Sequence, residues 1–247
     1  MPDSYESEAL LRQYLDFHYR SGDPGYLPHH PLPPGVLEYP RRCAEKVLQY
    51  SRRFDRALDP GCAVGGSTFV LATRFQEVVG VDLSASFIRT ATALAQHGVF
   101  RLPEPFRHGN GQGLSEETYT LPSELRNTSP RFEQGDACAL RPDLGCFDAI
   151  LMANLLCRLP DPAACLQNLR NHTRPGSLLV FMTPCSWDED FTPREKWLFP
   201  TLEALHQHLD PWCGCLEVSE MPFVLRDHER RAQFTVAQCS VWEVAQA

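Results

Sequence analysis

The chain has 247 residues, 43% of them hydrophobic, which is enough for one sizeable core and cramped for two. Its 23 Lys and Arg stand against 31 Asp and Glu, a formal net charge of −8 with no dense basic run, so a nucleic-acid partner is disfavoured and a small molecule is the better expectation. Neither a signal peptide nor an apolar span of membrane length appears, and the ten cysteines are scattered without zinc-type spacing; they read as reduced thiols of a cytoplasmic protein with no membrane contact and no metal site.

Asp3 and Glu6 have the spacing of a capping box, and Leu10, Leu11, Tyr14, Leu15 and His18 recur at helical spacing, which predicts an amphipathic helix from about residue 4 to 20. Gly22 to Gly35 holds five prolines and three glycines and reads as a loop. Pro40 suits the first turn of a helix with Cys43, Ala44, Val47 and Leu48 on its apolar stripe, ending near Phe54. A strand is expected at Arg56 to Asp59, a helix from about Ser67, and a second strand at Glu77 to Asp82. Ser84 caps the next helix, which Gly98 ends. From Val99 to Pro130 periodicity is lost and a long connection is expected.

Order returns with a short strand at Arg131 to Asp136 and a buried one at Phe147 to Asn154. Asp161-Pro162 starts a helix to about Thr173, and Ser177 to Met182 is a fifth strand. Thr192-Pro193-Arg194-Glu195 carries a cap, an N1 proline and a capping-box acid together, and Leu202, Leu205 and Leu209 mark another helix. Gly214 to Val224 and Arg231 to Val244 read as two antiparallel strands that finish the sheet. Four strands thus end in a polar residue, at the edge where an open α/β sheet binds ligands.

The stretch that carries the chemistry is Ala57-Leu58-Asp59-Pro60-Gly61-Cys62-Ala63-Val64-Gly65-Gly66-Ser67 with Asp82 at the end of the following strand. Glycines at 61, 65 and 66 do not match the G-x-G-x-x-G of dinucleotide enzymes, which makes a dehydrogenase the weakest reading. The spacing D-x-G-C-A-x-G resembles the loop of S-adenosylmethionine-dependent methyltransferases.

Nearly the whole chain resembles one family within that class, the C-terminal methyltransferase domain of the ovothiol-biosynthesis enzyme. The matching segments include Tyr14-Leu15-x-Phe17-His18-Tyr19, Tyr39-Pro40-x-Arg42-Cys43-Ala44-Glu45, Gln134-Gly135-Asp136-Ala137-Cys138, Ala153-Asn154-Leu155 with Arg158-Leu159-x-Asp161-Pro162, Phe191-Thr192-Pro193-Arg194-Glu195-x-Trp197-Leu198, and Pro222-Phe223-Val224-x-Arg226. The chain departs from the family at Pro60, at Gly66 and through the 99–130 connection. Only the methyltransferase portion of that enzyme is matched, so methylation is the step the resemblance leads one to expect. A non-catalytic relative that binds cofactor weakly, or only a protein partner, is the alternative that Pro60 and Gly66 suggest.

The resemblance implies an α/β fold: a seven-stranded, mostly parallel Rossmann-like sheet with helices on both faces, residues 1–55 covering the cofactor site and 56–247 forming the core. It implies S-adenosylmethionine as cofactor and a small imidazole or thiol amino acid, a mercaptohistidine, as methyl acceptor. Asp59, Gly61, Cys62, Ala63 and Gly65 of the loop, Asp82 and Leu83 at the ribose, Asp136 and Ala137 at the adenine, and Asn154 are the expected cofactor residues. His18, Tyr39 and Asn154 are the candidates for catalysis. Tyr14, Arg158, Trp187 and Thr183 are candidate pocket residues, with Arg42 or Arg226 as the anchor of the acceptor's carboxylate.

Overall fold

In the computed structural model, which describes residues 6–22, 26–27, 31–102, 106–107, 114–115, 118–228 and 230–246, the apolar runs form β1 (Arg56–Pro60), β2 (Glu77–Asp82), β3 (Arg131–Gln134), β4 (Ala149–Ala153), β5 (Leu178–Thr183), β6 (Cys213–His228) and β7 (Arg231–Val244). They make one seven-stranded sheet in the order β6-β7-β5-β4-β1-β2-β3. Strands β1 to β5 pair in parallel, and β7 runs antiparallel to both β5 and β6. The order reverses between β1 and β4, and the crevice at their carboxyl ends is the ligand edge of such a sheet. This is the Rossmann-like fold expected from the sequence.

The strands are apolar throughout because both faces are covered. Ala149 and Leu151 of β4 and Leu178, Val180 and Met182 of β5 face one core, shared with α1 (Glu8–Tyr19), α2 (Tyr39–Tyr50), α3 (Gly66–Leu71) and α4 (Ala85–His97). Their neighbours Ile150, Met152, Leu179 and Phe181 face the other, shared with α5 (Pro162–Leu169) and α6 (Thr201–Leu209). The period of two in each strand therefore divides the chain into two layers. Among the described residues no helix is long and apolar enough to cross a membrane.

Several boundaries differ from the expectation, each for a local reason. Helix α1 is capped by Ser7, whose hydroxyl accepts from the Leu10 N–H at 3.3 Å; Asp3 lies outside the described residues, as does part of the Gly22–Gly35 loop. The 99–130 connection carries structure of its own: Val99–Arg101 pairs antiparallel with Thr118–Thr120, and Leu102, Tyr119, Leu121 and Leu125 are buried in the first core. The cap signal at Thr192 starts only one turn, Arg194–Lys196. Its hydroxyl donates instead to Leu159 O at 2.7 Å, so the side chain serves a tertiary contact.

Strands β6 and β7 are far longer than the sheet needs. They pair with each other from Cys213↔Val244 to His228↔Arg231, whereas β7 pairs with β5 only from Gln238 to Glu243. The distal half of this ribbon therefore overhangs the carboxyl edge of the sheet. Buried Asp16 of α1 holds it there, ion-paired to Arg226 and accepting from the Tyr119 hydroxyl at 2.9 Å. Gln13 adds bonds to Arg226 O at 3.3 Å and to Asp227 Oδ1 at 2.8 Å.

Candidate active site

A cavity of about 630 Å³ opens at the carboxyl ends of β1 to β4, lined by Gly61 of the loop after β1 and by Asp82, Asp136 and Asn154 at the ends of the next three strands. Its size suits a small-molecule ligand. The roof comes from Tyr14, Phe17 and His18 of α1, Tyr39 of α2 and the underside of the ribbon. Two bonds fix α1 to the glycine loop: the Tyr19 hydroxyl donates to Val64 O, and His18 Nδ1 accepts from the Gly66 N–H at 3.0 Å.

The His18 bond explains the departure at Gly66. A Cβ there would stand 2.6 Å from His18 Nδ1, so a larger residue excludes the ring. It also settles the chemistry of the histidine. Burial lowers its pKa from 6.5 to about 3, and with Nδ1 accepting, the neutral ring carries its proton on Nε2. His18 is thus a donor in the cavity wall and not a base, which corrects its place among the candidates for catalysis. Pro60 is buried at the end of β1 in register with Val81, and the loop closes on that same residue through Gly61 N–H to Val81 O at 2.7 Å.

Asp59 does not line the cavity. It is 1% exposed, and its Oδ2 accepts from the Ser67 and Thr68 hydroxyls, both at 2.7 Å, which makes it the post that holds the start of α3. Of these residues it is Ser67 that reaches the cavity. The Cys62 side chain is likewise buried beneath the loop, and Gly65 acts through its left-handed φ of +88° rather than through the wall. Ala63, with φ of +47°, does line the cavity, as do Leu83 and Ala137. Asp82 Oδ2 accepts from the Ala63 N–H and Oδ1 from the Ser84 N–H, each at 2.9 Å. Burial raises its carboxyl above the ordinary range, and the backbone N–H groups of Ser84, Ala63 and Leu83 oppose the shift. Asp136 Oδ1 accepts from the Cys138 N–H at 2.8 Å.

At the other end of the cavity the buried Tyr39 hydroxyl donates to Asn154 Oδ1 at 2.8 Å. Burial drives the Tyr39 pKa well above its usual value, so the phenol stays a donor. Asn154 has φ of +56°, a conformation that asparagine tolerates better than most residues. With Oδ1 engaged, its amide keeps two N–H donors. Arg158 also lines this end.

The remaining candidates lie elsewhere. Arg42 donates to Leu37 O at 2.8 Å and to Pro222 O at 2.6 Å, joining α2 to the ribbon. Arg226 is committed to Asp16 and donates to Tyr26 O at 2.9 Å. Neither lines the cavity, so neither is the carboxylate anchor. Trp187 stacks on Trp197 and donates to Thr201 Oγ1, and Thr183 is 1% exposed with its hydroxyl accepting from the Cys185 N–H; both are structural. What the sequence reading missed is the ribbon. The cross-strand pairs Phe223↔Thr235 and Leu225↔Gln233 both face the cavity. The signal was present as alternation in Phe223, Leu225 and in Gln233, Thr235, but nothing local says that these strands overrun the sheet.

Asp59 and His18 give stability a pH dependence of opposite sign. Burial raises the Asp59 pKa from 3.8 to about 6, so the folded state keeps a proton that the unfolded chain releases. Stability then falls as pH rises through that window, by roughly 3 kcal/mol when complete. His18, depressed from 6.5 to about 3, loses stability as pH falls through its own window. Because the windows overlap, the comparison must be between variant and wild type. Urea unfolding of Asp59→Asn is expected to gain on wild type by roughly 2–3 kcal/mol between pH 4 and pH 7; a constant difference would mean that Asp59 does not titrate there.

A methyltransferase-domain family matches residues 37–234 of the chain. Trans-aconitate 2-methyltransferase of Deinococcus radiodurans is 31% identical over 145 residues, 58% of this chain and 43% of that protein. The 2-methyl-6-phytyl-1,4-hydroquinone methyltransferase of Synechocystis sp. is 24% identical over 75% of this chain and 51% of its own length. The chain thus spans about half the length of the curated relatives it matches. Among solved structures, the N-methyltransferase NodS of Bradyrhizobium japonicum in complex with S-adenosyl-L-homocysteine superposes with a TM-score of 0.55 at 16% identity, over 96% of this chain and 99% of that one. A structure from echinomycin biosynthesis, concerned with conversion of a disulfide bond into a thioacetal group, gives 0.58 at 17% identity, over 94% and 91%. At these identities the likeness is one of fold.

Proposed function

Because the chain belongs to the methyltransferase-domain family of S-adenosylmethionine-dependent enzymes, we propose that it methylates a small imidazole amino acid, with a ring nitrogen of a mercaptohistidine as the acceptor. S-adenosylmethionine supplies a methyl group on a sulfonium, a leaving group already activated by its charge, so the protein is left with positioning and exclusion of water. The residues present suit it. Both oxygens of Asp82 accept backbone N–H groups, and a carboxylate with about four acceptor sites keeps capacity for a ribose hydroxyl. Leu83, Asp136 and Ala137 flank the base end, and Gly61, Ala63 and Ser67 border the opposite side of the loop. Gly66 and Pro60, which suggested a non-catalytic relative, are both accommodated in the loop.

The observation that carries the acceptor class is Arg158, which is the one Lys or Arg among the described residues lining the cavity, against three carboxylates, Asp82, Asp136 and Asp190. One cation suits a single carboxylate. A tricarboxylate such as trans-aconitate, the acceptor in the name of the Deinococcus relative, would leave charges unpaired in a cavity already acidic. The Asn154 amide, fixed by the Tyr39 hydroxyl, offers donors rather than a base, and a neutral imidazole brings its own lone pair.

The test is incubation with S-adenosylmethionine and mercaptohistidine, histidine or imidazole, read as a mass increase of one methyl. Cofactor binding without transfer to any imidazole would overturn the acceptor class; no cofactor binding by calorimetry would overturn the whole reading. Arg158→Lys keeps the charge and loses the paired hydrogen bonds, so it is expected to raise the acceptor KM about tenfold with cofactor affinity unchanged.

A further inference from the structure

We infer that Arg158 and Asp190 together form a wall that reads an α-amino acid zwitterion, Arg158 taking the carboxylate of the methyl acceptor and Asp190 its ammonium. The inference rests on the reading of the cavity as an acceptor site and deepens it. Arg158 is held by one edge of its guanidinium. Nη1 donates to Cys157 O and to Ser186 O, and Nη2 donates to Ser186 Oγ at 3.3 Å. Among the described residues nothing engages Nε, and the Nε–Nη2 edge is the one that meets a carboxylate with two parallel bonds. The flat face lies over the Phe191 ring at 5.1 Å, which fixes the plane. No described carboxylate is ion-paired to it.

Asp190 is the residue before that ring, and it too lines the cavity. Its two acidic neighbours are occupied: Asp188 Oδ1 accepts the Asp190 N–H at 2.9 Å, and Glu189 pairs with Arg194 at 3.8 Å. The Asp190 carboxylate has no cation among the described residues. The turn that carries it is held, with Phe191 and Thr192 N–H donating to Asp188 O at 3.1 and 2.9 Å, and buried Thr192 donating to Leu159 O. Leu159 follows Arg158 directly, so both charges are mounted on one tied unit. A held cation and an exposed anion on a tied turn of the same wall match the two adjacent poles of an α-amino acid. Two molecules carry that group here, the acceptor and the methionyl tail of the cofactor, and the structure assigns the wall to the acceptor because Arg158 follows β4, at the Asn154 end, on the far side of β1 from Asp82 and Asp136 at the ends of β2 and β3.

The experiment is calorimetry on protein saturated with S-adenosylhomocysteine, titrated with mercaptohistidine and with its des-amino analogue, mercaptoimidazole propionate. Wild type is expected to bind the amino acid about tenfold more tightly than the analogue, and Asp190→Asn to bring the ratio within about twofold. Glu189→Gln removes the same charge one residue away and is expected to keep the wild-type ratio. A ratio that survives in Asp190→Asn, or equal binding of the two ligands to wild type, overturns the inference. Weaker S-adenosylhomocysteine binding by Asp190→Asn with the ratio unchanged would assign the wall to the cofactor and overturn it as well. The two readings fail separately: an acceptor that is an amino acid but not an imidazole, and that loses its preference in Asp190→Asn, refutes the imidazole alone.

Discussion

Asp82→Ala is expected to weaken S-adenosylmethionine binding by at least about tenfold, since each charge-assisted bond to a ribose hydroxyl is worth about 1.5–3 kcal/mol. The position of this carboxylate follows from β2, which ends at Asp82, and from the N–H groups of Ala63 and Ser84, which aim its two oxygens. The same bonds complicate the variant. Alanine leaves two backbone donors without their acceptor, at a cost of about 1–3 kcal/mol each where they are buried, so stability falls along with affinity. Asp82→Asn separates the two effects, because it keeps one acceptor and much of the shape while removing the charge. Affinity measured by calorimetry, corrected for the folded fraction from urea unfolding, should drop in both variants. Equal affinity in both would show that the ribose is held elsewhere.

Gly65→Ala should lose about 2–5 kcal/mol of folding stability, combining about 1–2 for a left-handed alanine with about 1–3 for overpacking. Gly65 precedes α3 with φ of +88°, and a Cβ there would lie 2.6 Å from Phe132 Cζ. That ring has little room to retreat, being packed on Phe69 at a centroid distance of 5.4 Å. Gly98 supplies the comparison. It ends α4 with φ of +68°, but a Cβ would meet only the Arg126 side chain, at 3.9 Å. Gly98→Ala therefore carries the conformational cost without the clash, about 1–2 kcal/mol. Urea midpoints should rank wild type above Gly98→Ala above Gly65→Ala. If the two variants prove equal, Phe132 yields and the loop is less tightly built than its contacts indicate.

Much of this fold is local in origin, and so it was legible. Ser84 caps α4 through the Phe87 N–H at 3.1 Å and Gly98 ends it, because capping needs only residues within one turn. The parallel strands are continuous apolar runs because two layers of helices cover them. The acid or amide at each strand end followed from the same runs, and it placed Asp82, Asp136 and Asn154 at one edge before any contact was known.

The side chains that the reading misplaced are those whose partners lie far along the chain. Arg226 meets Asp16 across 210 residues and Arg42 meets Pro222 across 180, and no local pattern distinguishes such a structural arginine from a ligand-binding one. Thr192 shows the same competition within one residue, since its hydroxyl goes to Leu159 O and the helix its sequence announces stops after a single turn. The sequence by itself determined the layers, the strand ends and the glycine loop, because hydrophobic period and backbone sterics act over a few residues. The tertiary structure alone decided which arginine faces the cavity, that His18 is a donor fixed on Gly66, and that the β6–β7 ribbon overhangs the site, because each depends on charges and surfaces brought together only when α1, the ribbon and the sheet pack.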